Sequence, residues 1–110
     1  MGYSINNKTK KISLVRGDTL RMKVEILVDN EVYTPQFGDV IRFAMKQSYT
    51  SSKVLIDKRI PIDTLTLKLD PSDTKSLNFG KYVYDIEITF STGDVDTFIR
   101  GEIELLPEVR

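Results

Sequence analysis

The chain has 110 residues, with 16 basic and 16 acidic side chains and neither cysteine nor histidine. This composition excludes disulfide bonds, thiolate nucleophiles, cysteine-based zinc sites and histidine-based catalytic triads within the chain. The zero net charge gives no electrostatic reason to expect nucleic acid or a membrane surface as a partner. We therefore predict one domain, residues 1–110, that is not an enzyme and uses no metal or cofactor.

Four short segments in the first two thirds of the chain alternate apolar with polar residues, which is typical of strands with one buried face, and a fifth, weaker strand is predicted around Val54 and Ile56. In 20–28, for example, every second residue from Leu20 to Val28 is apolar. Turn residues separate the segments, and the N-terminal residues 1–9 are predicted to be a flexible arm. The predicted strands are 10–15, 20–28, 40–47, 53–59 and 63–69.

One short helix is predicted at 71–77. Asp70 can cap it, and Pro71 fits the first helical position, where its missing amide hydrogen is not needed. Gly80 ends this segment, so the helix has two turns at most.

A long β-hairpin follows the helix. Residues 82–90 and 95–105 both alternate, and the Gly-containing segment 91–94 between them is a turn. Pro107 stops the second strand, and 107–110 are predicted to be a tail.

About seven strands and one short helical turn predict an all-β fold, an immunoglobulin-like antiparallel β-sandwich. Tyr82 stands where such sandwiches carry a tyrosine whose hydroxyl bonds to the backbone of the preceding corner. Tyr84 stands where antibody domains carry a cysteine, and we expect its hydroxyl to contribute less than that of Tyr82. The alternative is that both are ordinary aromatic core residues.

Surface aromatic residues are the candidates for a protein contact. Phe98 and Arg100 share the polar parity of the last strand, which we predict to be a sheet edge, although Phe98 could instead pack under a loop. Tyr33 and Phe37 belong to a loop with Pro and Gly and are either exposed anchors or buried. Tyr49 lies in a polar loop whose composition is that of binding loops or of ordinary solvated ones.

Three segments, 14–33, 39–48 and 69–109, contain a series of short motifs. The motifs are Gly17-Asp18-Thr19, the stretch from Phe43 to Lys46, the stretch from Leu77 to Ile86, and the closing stretch from Gly101 to Leu105. Together they resemble small structural proteins of tailed phages and prophages of Gram-positive bacteria. They are most like the N-terminal domain of upper baseplate proteins, and the resemblance covers nearly all of residues 14–109.

The resemblance implies a virion structural protein, a tail or baseplate component that is assembled in the bacterial cytoplasm. Its implied partners are other virion proteins or copies of itself, as a trimer or hexamer, and neither nucleic acid nor membrane. Members of this group usually carry a receptor-binding module, and no such module follows here. We therefore expect either a stand-alone virion component or a separated domain.

Three other functions compete with this interpretation. A phage-encoded inhibitor of a host system would normally show a strongly acidic face, which zero net charge does not favour. A carbohydrate-binding module needs coplanar exposed aromatics, for which Tyr33, Tyr49 and Phe98 are the candidates. A glycosidase-like enzyme needs a cleft between two carboxylates, for which a minimal sandwich leaves little chain.

Overall fold

A computed structural model describes residues 3–6 and 10–108; about half of them lie in β-strands, and the one helix among them is short. The all-β sandwich class predicted from the sequence is confirmed. The elements are β1 (Tyr3–Asn6), β2 (Lys11–Val15), β3 (Leu20–Lys23), β4 (Leu27–Val28), β5 (Glu31–Val32), β6 (Val40–Lys46), β7 (Ile56–Ile60), β8 (Thr66–Leu69), α1 (Pro71–Lys75), β9 (Gly80–Thr89) and β10 (Val95–Leu106).

The main sheet has six strands in the order β1-β2-β10-β9-β6-β7, and two small sheets pair β3 with β8 and β4 with β5. The β2–β10 pair is parallel, whereas the other paired strands are antiparallel, so the main sheet is mixed. The parallel pair joins Ile12 to Ile103 and Leu14 to Leu105. The predicted antiparallel sandwich therefore holds except at this one junction.

The core lies between the inner face of the main sheet and the β3–β8 sheet. Alternate residues of β2, β3, β6, β8 and β9 are buried, as the alternating sequence predicts, and they form one continuous cluster with the end of β10. In the middle of it, the rings of Phe43 on β6 and Tyr84 on β9 stack with their centroids 5.4 Å apart. Most apolar residues at the predicted inward positions therefore lie in a single core.

The predicted strand 20–28 is interrupted. Its hydrogen-bonded pairing with β8 covers only Leu20–Lys23, because the segment before Thr66 turns away from this strand. Beyond the ladder, the Val24 amide donates to the Leu65 carbonyl at 2.8 Å, and Leu65 has a φ of +50°. Val24 and Ile26 remain buried, so the apolar alternation continues where the strand pairing stops.

A β-bulge in β10 changes which residues face inward. Thr97 is opposite Glu87 but Ile99 is opposite Ile86, so Phe98 is the extra residue. Before the bulge the side-chain parity is reversed: Val95, predicted to face inward, is 60% exposed. Phe98, predicted to stand on the wet face, is half-buried and packs against the core.

The last strand is only partly a sheet edge. Residues 103–106 of β10 lie between β2 and β9, which corrects the prediction of an edge over the whole of 95–105. Residues 95–102 pair with β9 alone within the described part of the chain. A sequence pattern cannot show this, because it does not reveal the distant strand that covers the far end.

Parts of the predicted arm and tail belong to the folded domain. Tyr3–Asn6 form β1, which pairs antiparallel with β2. Glu108 forms ion pairs with Lys75 at 2.9 Å and with Arg16 at 3.2 Å, so this part of the predicted tail is held against the domain. The remaining positions of the predicted arm and tail, 1–2, 7–9 and 109–110, lie outside the described residues.

Tyr84 crosses β10 at a glycine. Its hydroxyl donates to the Lys10 carbonyl at 2.5 Å, and its side chain is only 2% exposed. A Cβ at Gly101, directly opposite Tyr84, would stand 2.5 Å from that carbonyl oxygen and 3.1 Å from the tyrosine hydroxyl. Burial raises the pKa of Tyr84 to about 12, with a smaller contribution from Tyr49.

Candidate protein-contact surface

Among the side chains of residues 10–108, the most exposed large apolar one is Phe37, at 98%. It stands in a turn in which the Asp39 amide donates to the Gln36 carbonyl at 3.0 Å, and Gly38 has a φ of +98°. A positive φ at the third position is the requirement of a type II β-turn, which glycine meets without strain. The turn therefore places Phe37 at its tip, pointing away from the core.

Asp39 fixes this turn to the rest of the domain. Although only 6% exposed, its carboxylate accepts hydrogen bonds from the Tyr33 hydroxyl at 2.6 Å, the Gln36 amide at 2.9 Å and the Ser91 amide at 3.0 Å. These donors, chiefly the Gln36 amide and then the Tyr33 hydroxyl, hold the pKa of Asp39 below its ordinary value. The exposure of Phe37 thus comes from a well-bonded turn.

Tyr33 supports this turn from beneath. Its ring meets Phe90 edge-on, with centroids 5.3 Å apart, and its hydroxyl is committed to Asp39. That hydrogen bond raises the pKa of Tyr33, with burial and the Asp39 charge adding to the effect. Of the two loop aromatics predicted as anchors, Phe37 is therefore exposed and Tyr33 is half-buried.

An apolar groove of about 340 Å³ lies beside Phe37. Phe37 forms one wall of it, and the end of β7 and the chain after it form the other. Arg59 lines this groove and has no ion pair within residues 10–108. We call Phe37 and this groove the Phe37 surface; the groove residues are Gly38, Asp39, Val40, Ile41, Arg59, Ile60, Pro61 and Ile62.

Tyr49 and Arg100 meet elsewhere, on the outer face of the main sheet. The Arg100 guanidinium lies 4.4 Å from the centre of the Tyr49 ring, and the Tyr49 hydroxyl donates to the Gly101 carbonyl at 3.2 Å. Together with Lys46 and Asp85 they line a small cavity of about 140 Å³. This pair lies towards the Lys46 end of β6, whereas the Phe37 surface lies at its Val40 end.

The predicted contact residues therefore divide among three places. Phe37 lies on its own surface, Tyr49 contacts Arg100 across the outer face, and Phe98 packs against the core. The sequence does not point to Asp39 or to the groove at 59–62 as parts of a site. A Gly-Asp pair just before an apolar strand is a signal for a bonded turn. One of the three donors to Asp39, the Ser91 amide, comes from a distant segment that this local signal does not reveal.

Tyr82 has the position of a corner tyrosine. Its hydroxyl donates to the Asn78 carbonyl at 2.7 Å, which lies between α1 and β9. This bond ties the start of β9 to the preceding corner.

Within the described ranges, no group of three or more acidic side chains is arranged to hold a metal ion. The helix among these residues is far too short to cross a bilayer.

The chain matches no model of a known protein family, and no curated protein matches it. Among solved structures it is similar to the crystal structure of CopC from Methylosinus trichosporium OB3b. That alignment has 14% sequence identity and a TM-score of 0.47, and it covers 89% of this chain and 85% of CopC.

Proposed function

We propose that this protein is a structural part of a phage or prophage virion, in the tail or baseplate, and that it works by binding other proteins. The observation that carries the contact role is Phe37, which is 98% exposed on a turn fixed by the buried Asp39. Burial of such a large apolar ring by a partner removes it from water, which is favourable and stabilises the complex. The virion role comes from the sequence resemblance over 14–109.

The competing carbohydrate-binding function has less support. Such a module presents open aromatic faces, but two of the exposed rings are each covered on one face by a guanidinium group. Arg16 lies 4.2 Å from the centre of Phe79, and Arg100 lies 4.4 Å from that of Tyr49. Phe37 alone does not provide the two or three coplanar rings that a sugar platform needs.

The virion role can be tested on particles. Phage particles induced from the bacterium that encodes the chain would be purified on a density gradient and probed with an antibody against the protein. We expect the protein in the particle fraction and gold label at one end of the tail. Detection only in the soluble fractions would contradict the virion role.

The contact role needs a variant that spares the fold. Phe37→Ser should reduce incorporation into particles without lowering the melting temperature, because this side chain has almost no contacts to lose. Val54→Ser is the matched control, since Val54 is also exposed, at 43%, but lies by the opposite end of β6. Equal incorporation of both variants would remove Phe37 from the contact.

A further inference from the structure

We propose that the partner of the Phe37 surface is the same surface of a second copy of this chain, in a two-fold pair. This inference rests on the proposed contact role and names its occupant. Three features of the Phe37 surface carry it: the position of the projecting ring, the composition of the groove and the placement of two unpaired charges.

The projecting ring and the groove are neighbours on one surface. Phe37 is fully exposed and is also one wall of the apolar groove whose other wall includes Ile60 and Pro61. In a two-fold pair, each Phe37 enters the groove of the other copy and covers the other ring at the same time. A partner that brought only one apolar side chain would cover the groove and leave the outer face of Phe37 in water. A two-fold interface requires such a self-complementary patch.

The charges around this surface are also complementary to each other. Arg59 lines the groove and is exposed, with no acidic partner among residues 10–108. Asp94 is exposed and likewise without an ion pair in that range, and it belongs to the 91–94 turn. That turn lies against the Phe37 loop, since the Ser91 amide bonds to Asp39 and a Cβ on Gly38 would stand 3.0 Å from the Ser91 Cβ. In a two-fold pair, the 91–94 turn of one copy, which contacts its own Phe37 loop through Ser91, would stand beside the groove of the other copy, where its Asp94 could meet the Arg59 of that groove.

This pairing predicts a reversible dimer whose affinity depends on Phe37 and on the contact between Arg59 and Asp94. Sedimentation velocity over a wide range of concentration should show a monomer–dimer equilibrium. Phe37→Ser should weaken dimerisation at least tenfold, about the effect of losing one central aromatic anchor. Val54→Ser should leave the dimer unchanged, and circular dichroism should show both variants folded.

A charge exchange tests the geometry. Arg59→Asp alone and Asp94→Arg alone should each weaken the dimer, and the double variant should restore much of the affinity, because the pair is re-formed with reversed signs. A parent protein that stays monomeric at the highest concentration would overturn the proposal, as would equal effects of the Phe37 and Val54 changes, or a double variant no better than the single ones. A monomer that loses binding to another virion protein on Phe37→Ser would refute self-pairing and leave the proposed function in place.

Discussion

Replacement of Gly101 by alanine should destabilise the fold, although the same change at most strand positions would stabilise it. Where a glycine has ordinary backbone geometry, Gly→Ala raises the free energy of unfolding by about 0.4–1 kcal/mol, because the unfolded chain loses conformational freedom. Gly101 has no positive φ, so backbone conformation gives no penalty here. The sign of the measured effect therefore reports the packing around this position.

The packing penalty follows from three distances. A Cβ at Gly101 would stand 2.5 Å from the Lys10 carbonyl oxygen, 3.0 Å from Cε1 of Tyr84 and 3.1 Å from its hydroxyl. Overpacking of a close-packed site costs about 1–3 kcal/mol. Displacing the Lys10 carbonyl also breaks its bond to the Tyr84 hydroxyl, which is worth about 1 kcal/mol. We expect a net loss of about 1–3 kcal/mol in the free energy of unfolding.

Urea denaturation followed by circular dichroism measures this loss, and Tyr84→Phe separates its parts. Tyr84→Phe alone should cost about 1–2 kcal/mol, because it leaves the Lys10 carbonyl without its hydroxyl donor. When Gly101→Ala is added to Tyr84→Phe, the further loss in the free energy of unfolding should be about 1 kcal/mol smaller than that of Gly101→Ala alone, since the hydrogen bond is already absent. A Gly101→Ala protein as stable as the parent, or more stable, would refute the close crossing of Tyr84 over β10.

Three further outcomes can be checked on the same instruments. Tyr82→Phe should cost about 1 kcal/mol, no more than Tyr84→Phe, because Tyr84, at 2% exposure, is buried at least as deeply as Tyr82, at 4%; a clearly larger cost would restore the order expected from the sequence. The stabilisation from the lowered Asp39 pKa is present above about pH 4 and is lost as the pH falls through the folded-state value. Asp39→Asn should therefore reduce the loss of unfolding free energy between neutral and acidic pH. An unchanged pH dependence would mean that other carboxylates cause this loss. Phe98→Ser and Ile99→Ser should each lower the free energy of unfolding by about 1–3 kcal/mol, because both side chains pack against the core. An unaffected melting temperature of the Phe98 variant would contradict the bulge.

The sequence predicts the elements of this fold well where the information is local. The alternation of residues 82–90, the cap and proline at 70–71 and the strand predicted at 40–47 each depend on neighbouring residues, and the structure has β9, α1 and β6 at these places. The bulge at Phe98 is different, because one extra residue reverses the parity and no glycine marks it. Period-2 reasoning then assigns Val95 and Phe98 to the wrong faces.

The candidate surface is harder to predict than the strands. Phe37 belongs to a loop that the sequence identifies, but its exposure depends on donors to Asp39 from residues as distant as Ser91. The groove needs the end of β7 to lie beside the start of β6, which is a matter of register between two strands. Contacts of this kind are non-local, and a single sequence contains no signal for which segments meet.

The parallel pairing of β2 with β10 also has a mechanical consequence. An outward pull at the start of β2 and the end of β10 acts in opposite directions along two neighbouring strands. The hydrogen bonds between Lys11–Val15 and 103–106 are then sheared together, rather than opened one after another as in a hairpin pulled at its open end. Rupture therefore needs several bonds to fail at once, which slows forced unfolding along that axis.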